Sequence, residues 1–198
     1  MIPPDLMGLW RDCGAPRGTQ RLARALMEPP VYEHVRGVAQ QAARLAVAAS
    51  LDDEPRQLLL RAAWLHDIGL SVPGAFPPTA GARMLRRGRL EDLARIVAHQ
   101  VGAAYEVILR GQPALTPEFP APHGVAREVA QLLDIAILTT GQDGAASSPA
   151  TRVRTLVTRR GPDDPAVRAT IWIVDRIGRS ERSRGLLARV ADTGTRAA

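Results

Sequence analysis

Four side chains that commonly bind divalent metal ions interrupt otherwise apolar stretches of the chain. They are His34, His66 with the adjacent Asp67, and Asp134. A buried carboxylate without a partner costs several kcal/mol, so a bound cation is an economical way to keep such groups in a core. Two imidazoles with two carboxylates suit a six-coordinate ion such as Mn, Fe, Co, Ni or Mg better than a tetrahedral structural zinc. The sequence therefore predicts one divalent ion with positions open to water and substrate.

Each of these residues also has a simpler explanation when considered alone. A buried histidine usually bonds to a backbone carbonyl, and a buried aspartate usually pairs with an arginine or caps a helix. The spacing favours a shared site, because His66 follows His34 by 32 residues and His99 follows His66 by 33. Antiparallel helices of about 15–20 residues return to the same level at about this interval.

The elements that must position these residues have the pattern of helices. Apolar residues recur at three- and four-residue steps, and prolines and glycines mark the segment ends. Alternating strands with hairpin turns are absent from the pattern. We expect proline-rich loops at 71–78 and 112–124, and helices at 19–27, 31–50, about 55–68, 79–87, 90–100, 103–110, 125–140, 150–160 and 165 to about 190. The sequence therefore predicts an all-α fold of one domain.

The amino-acid composition and net charge indicate which class of molecule the protein binds. The net charge is +6 and the sequence pI is about 11.0, but all 26 basic residues are arginine and aromatic residues make up only 4%. Scattered arginines with few stacking aromatics favour a small anionic partner over nucleic acid. We expect no membrane contact, because no apolar run is long enough to span a bilayer. Cys13, the single cysteine, and an N-terminus unlike a signal peptide predict a cytoplasmic protein, with Cys13 inert near a loose end.

The order His34, His66-Asp67 and Asp134 resembles the H…HD…D signature of the HD-domain superfamily of metal-dependent phosphohydrolases. Segments 66–69 (HDIG), 98–103 (AHQVGA) and 139–144 (TTGQDG) resemble those of a small, largely uncharacterised bacterial branch. The resemblance covers roughly residues 20–145. It implies a helical bundle with an HD-type domain at 18–145 and C-terminal helices at 146–198 packing on the same core. The prolines and glycines at 1–17 predict an irregular arm with at most one helical turn around residues 6–10.

The resemblance also implies roles for the site residues. His34, His66, Asp67 and Asp134 would hold the ion, and a metal-bound water would attack a nucleotide or another small phosphate ester. The ion lowers the pKa of that water from ~15.7 toward ~7. Asp67 and His99 are the expected catalytic residues, Asp67 as the proton acceptor. The residues expected to bind phosphate are His99, Thr139, Thr140 and Arg36.

Two departures from the superfamily pattern leave alternatives open. Nucleotidase members often carry an acid three residues after the HD aspartate, where this chain has Leu70. Two-metal members add two histidines, for which the candidates are His99 and His123. A second metal would favour cleavage of dinucleoside polyphosphates or cyclic dinucleotides.

Two other functional classes also stay open. One is a metal- or nucleotide-binding domain without activity, acting as a sensor or adaptor. The other is a basic adaptor that touches nucleic acid or an acidic protein, with a structural metal. The C-terminal helices could also form a homodimer face.

Overall fold

The structure, a computed structural model, describes the backbone of residues 7–195 and the side chains of residue 8 and residues 10–189. The predicted all-α fold is confirmed: the described residues form helices and no strand, apart from an isolated bridge between Thr140 and Ala146. Short 3-10 turns cover Asp12–Gly14, Ile68–Ser71 and Gln100–Gly102. The α-helices are α1 (Met7–Arg11), α2 (Pro16–Leu26), α3 (Pro29–Ala48), α4 (Asp53–Leu65), α5 (Pro77–Arg87), α6 (Glu91–Ala98), α7 (Ala103–Leu109), α8 (Gly124–Leu138), α9 (Pro149–Arg160), α10 (Pro165–Arg179) and α11 (Glu181–Thr195).

Proline and short polar residues set where the helices begin. Five helices, α2, α3, α5, α9 and α10, carry proline at the first or second helical position, where its fixed φ suits the helix and its missing N–H is not needed. The Ser148 hydroxyl caps α9 by accepting from the Thr151 N–H, and the Asp164 carboxylate caps α10. These local signals explain why the predicted helix starts are close to the observed ones.

The centre of the molecule is formed by α3, α4 and α8, which pack against one another. Their inward faces are fully buried at positions such as Val38, Leu59 and Leu133. Helix α6 packs on the α4–α8 side, and α10 and α11 add Ile173 and Leu186 to the same core. This arrangement brings the start of α3 close to the end of α4, where the predicted metal ligands lie.

The prediction of a single helix from 165 to about 190 is wrong, because the structure has two helices in this range. Ser180 leaves the helical conformation with ψ 118°, and α11 starts at Glu181. The Ser180 hydroxyl accepts from the Ser183 N–H, which is the geometry of an N-cap. The polar pair Ser180-Glu181 was the sequence signal for this break.

Residues 7–17 contain more helix than the irregular arm with at most one helical turn that the sequence predicted. They form α1 and a 3-10 turn, and α2 already begins at Pro16. Trp10 and Cys13 are buried in the core, Cys13 completely. The expectation that Cys13 lies near a loose end is therefore wrong, while residues 1–6 lie outside the described part of the chain.

None of the described helices combines the length and apolarity that a bilayer span requires. That finding agrees with the absence of a long apolar run in the sequence.

Helix α3 can approach the loop after α8 only because Gly37 has no side chain. A Cβ at position 37 would lie 2.2 Å from the carbonyl oxygen of Gly144. We therefore expect Gly37→Ala to lower the free energy of unfolding by about 1–3 kcal/mol, measured by urea denaturation. Gly178→Ala in α10 is the control, because nothing lies within 4 Å of its added methyl group.

Alanine normally gains about 0.5–1 kcal/mol over glycine in a helix interior, so the control should be neutral or more stable than the parent. Equal stability of the Gly37→Ala variant and the parent would show that the loop can move away from α3 at no cost.

Candidate metal centre

Three metal-binding side chains meet where two core helices come together. His34 lies in the second turn of α3, His66 caps the C-terminus of α4, and Asp67 follows at the start of the 3-10 turn. The two imidazole rings have centroids 5.6 Å apart and an interplanar angle of 70°. Both histidines are buried, whereas 23% of the Asp67 side chain is exposed. The site is therefore anchored in the core and open on the aspartate side.

Backbone carbonyls fix the orientation and tautomer of both rings. His34 Nδ1 lies 2.7 Å from the carbonyl oxygen of Gly141, and His66 Nδ1 lies 2.9 Å from that of Ala63. A carbonyl only accepts, so each Nδ1 carries the hydrogen and each Nε2 keeps its lone pair. A metal-ligating histidine is oriented in this way, with one ring nitrogen donating to a carbonyl and the other free.

The ligand atoms have the separation that one ion requires. Asp67 Oδ2 lies 3.4 Å from His66 Nε2 and 4.0 Å from His34 Nε2. The three ligand atoms all lie within 4.8 Å of one another, and ligands held at about 2.1 Å from one ion lie about 3–4 Å apart. His66 Nε2 is buried and has no hydrogen-bond partner. This nitrogen faces a carboxylate and has no hydrogen-bond partner, so it is suited to bind a divalent ion.

Burial and mutual interaction set the charges of the three groups. Burial, together with the nearby His66, lowers the pKa of His34 to about 4, so its ring is neutral at pH 7. Burial alone would raise the pKa of Asp67, but the attraction of the nearby His66, with Nε2 3.4 Å from Asp67 Oδ2, outweighs it and lowers the pKa to about 2. Burial alone would lower the pKa of His66, but Asp67 raises it. Each group therefore favours the charged form of the other, and a metal ion would take the place of a proton on His66 Nε2.

A comparison with known protein families agrees with this geometry. Residues 31–113 match the HD domain family. This match supports membership of the HD-domain superfamily. HD domains bind divalent metal ions, and this superfamily is one of metal-dependent phosphohydrolases. No solved structure matches the chain. The matched segment runs from α3 into the loop after α7, so α8 and α9 lie beyond it.

Asp134 does not lie with the other three residues of the HD signature. Its carboxylate is buried on α8 and accepts a hydrogen bond from the Val101 N–H, with Oδ1 2.6 Å from the nitrogen. Val101 has a positive φ of 45°, a conformation that costs a β-branched residue about 1–3 kcal/mol unless its surroundings hold it. Asp134 is therefore occupied in fixing this kink, and the α8 residue that lines the metal cleft is Ile137, one turn further on.

The two histidines considered for a second metal are likewise apart from the HD site. His99 Nε2 donates to the carbonyl oxygen of Phe119 at 2.7 Å, and His123 is exposed at the N-cap of α8. Among the described residues, the group with metal-ligand spacing is His34, His66 and Asp67. The geometry brings together the ligands for one ion.

The residues expected to bind phosphate have other partners. Thr139 and Thr140 donate to carbonyl oxygens one turn back in α8, and Thr139 also accepts from Gln41. Arg36 is exposed and pairs with Glu33. The structure places none of these three, nor His99, in the lining of the cleft that contains the HD site.

The HD site opens into a cleft of about 640 Å³. Its walls include two residues that the sequence analysis did not single out. Gln100 Nε2 donates to the backbone carbonyl of His66 at 2.8 Å, while its buried Oε1 has no partner. Arg152 of α9 faces the HD site from the opposite wall. No sequence signal distinguished Arg152 from the other arginines of the chain.

Removing Asp67 should abolish metal binding, whereas neutralising Asp134 should not. We expect elemental analysis to find about one equivalent of divalent metal in the parent and in Asp134→Asn, and less than a tenth of that in Asp67→Ala. The reason is that Asp67 faces both histidines and Asp134 faces Val101. Loss of metal in Asp134→Asn, with the helical circular-dichroism spectrum unchanged, would place Asp134 among the ligands after all.

Asp134 should also make stability depend on pH. Burial raises its pKa to about 7, despite the opposing effects of the Val101 N–H and Arg176. The unfolded carboxyl ionises near 3.8, so the folded state holds one more proton between about pH 4 and 7 and loses stability as the pH rises through that range. Asparagine keeps the acceptor for Val101 without the charge. We expect Asp134→Asn to match the parent at pH 4 and to exceed it at pH 8, by up to about 4 kcal/mol in urea denaturation.

A difference between the two proteins that does not change with pH would contradict this assignment. It would show that the folded protein stabilises the ionised Asp134 carboxylate as well as water does in the unfolded chain.

Proposed function

We propose that the protein is a metal-dependent phosphohydrolase that acts on a nucleotide or another small phosphate ester. The observation that carries the proposal is the His34–His66–Asp67 group, with both Nε2 atoms directed at one carboxylate beside an open cleft. A structural metal would need no such opening, whereas a hydrolytic site must admit water and substrate.

Each of the three residues of the HD site has its own role in this proposal. His34 and His66 would hold the ion as neutral ligands in the tautomer set by Gly141 and Ala63. A divalent ion there would lower the pKa of water and offset negative charge on the phosphoryl oxygens. Asp67 would bind the ion and accept a proton. A site of three protein ligands would leave positions on the ion open to water and substrate.

The cleft supports a substrate of nucleotide size. Its volume of about 640 Å³ lies in the middle of the range for small-molecule sites. Proline and aromatic side chains from the loop at 71–78, including Phe76 and Pro77, supply an apolar wall. Gln100 and Gln112 supply neutral polar groups that suit a sugar or a base.

A metal- and nucleotide-binding domain without catalytic activity is the second candidate. Two apolar residues favour it, since Ile137 is the residue of α8 that lines the cleft and Leu70 lines it at the position where nucleotidases carry an acid. The two-metal phosphodiesterase gains no support from the separate positions of His99 and His123. The phosphorylated small-molecule partner, the expectation that nucleic acid is not a partner, the cytoplasmic location and the homodimer stay predictions.

Phosphate release from a panel of nucleotides and sugar phosphates tests the proposal. We expect the protein loaded with Mn, Fe, Co, Ni or Mg to release phosphate, and chelation or Asp67→Ala to reduce the rate at least 100-fold. Asp134→Asn serves as the matched control, because it also removes one buried carboxylate and should keep most of the activity. Tight, metal-dependent nucleotide binding without turnover would favour the non-catalytic candidate.

A further inference from the structure

Helix α9 turns one face toward the HD site, although it lies beyond the segment that matches the family. Arg152, Leu156 and Arg160, spaced four residues apart, all line the cleft. Such spacing places them on one side of the helix, about 12 Å apart from first to last. Arg154 and Arg159 are exposed and outside the cleft lining. Helix α9 therefore presents two of its four arginines to the cleft.

Arg152 is a partly buried cation that lacks a contacting anion. Among the described residues, no carboxylate lies within 4.0 Å of its guanidinium, and the group makes no hydrogen bond. Its charge nevertheless acts on all three residues of the metal centre, lowering the pKa values of His34, His66 and Asp67. Burial lowers the pKa of Arg152 itself, which shows that its position has a cost. An anion beside the metal centre would offset that cost.

A third arginine of the cleft, Arg110, already has a carboxylate partner. Arg110 lines the cleft, but it donates two hydrogen bonds to Glu106, at 2.8 and 2.6 Å. Arg160 is different, because its contact with Asp164 is 3.9 Å long and half of its side chain is exposed. Of the three arginines in the cleft, the two on α9 are the ones available to a ligand.

We propose that α9 is a two-point anion clamp, in which Arg152 binds the phosphoryl group at the metal centre and Arg160 binds a second anionic group of the same substrate. The inference rests on the proposed function and narrows it. A guanidinium binds phosphate through two parallel N–H groups, so each arginine suits one phosphate. The substrate class is a small molecule with two phosphates separated by a spacer about the length of a sugar, such as a sugar or nucleoside bisphosphate.

Phosphonates test the clamp without turnover, because their C–P bonds are not hydrolysed by a phosphoesterase. The probes are hexylphosphonate and hexane-1,6-diylbisphosphonate, titrated calorimetrically into the metal-loaded protein. We expect the bisphosphonate to bind at least tenfold more tightly. Arg160→Gln should remove that advantage and leave hexylphosphonate binding unchanged, whereas Arg152→Gln should weaken both at least tenfold.

Arg154→Gln and Arg159→Gln are the matched controls. Each removes one positive charge from the same helix outside the cleft, so each should change both affinities less than twofold. Described residues of α9 are not buried in the core, so all four variants should keep the parent's thermal midpoint. Equal affinities for the two probes, or equal losses in Arg160→Gln and Arg159→Gln, would overturn the clamp.

The clamp and the proposed function fail in different ways. The binding pattern above without phosphate release from any ester would uphold the clamp and remove the hydrolase. Metal-dependent phosphate release that is unchanged in Arg152→Gln and Arg160→Gln would uphold the hydrolase and remove the clamp.

Discussion

The hydrogen bond from His34 to the carbonyl of Gly141 is the contact on which the site depends. It joins the start of α3 to the loop after α8, two segments 107 residues apart in the chain. The bond forms only because Gly37 and Gly144 let helix and loop approach without side chains between them. It fixes the tautomer that leaves His34 Nε2 free, and it holds the loop that leads into α9. His34 and helix α9, which lines the cleft, are thus positioned by one junction.

Much of the fold and the centre of the site could be predicted from the sequence, because both rest on local patterns. The helical periodicity predicted nine of the helices, and their predicted starts lie within three residues of the observed ones. His66 and Asp67 are neighbours in the chain, so their proximity needed no tertiary information. His34 was found because a histidine within an apolar stripe must face the core, and the α3–α4 packing then determines what it meets.

The remaining site residues depended on partners that the sequence does not reveal. Asp134 has the same surroundings in sequence as a ligand would, but its partner is a backbone N–H turned toward it by the positive φ of Val101. Thr139 and Thr140 satisfy their hydroxyls within α8. Arg152 could not be recognised for a different reason, since the chain contains 26 arginines and only tertiary structure shows which of them line the cleft.

The positions of Asp134 and Arg152 show that the residues that can hold an ion and other residues that line the cleft come from different parts of the chain. The family segment 31–113 supplies His34, His66 and Asp67, and these residues are sufficient to hold an ion. The wall opposite them comes from α8 and α9, outside that segment, where Ile137 offers no charge and Arg152 offers a cation. Membership of the superfamily therefore carries information about the metal and the reaction class. Within that segment, Glu106 and Arg110 line the cleft but pair with each other, whereas Arg152 and Arg160 lie beyond it. In the proposed function, α9 is therefore the helix that would select an anionic substrate.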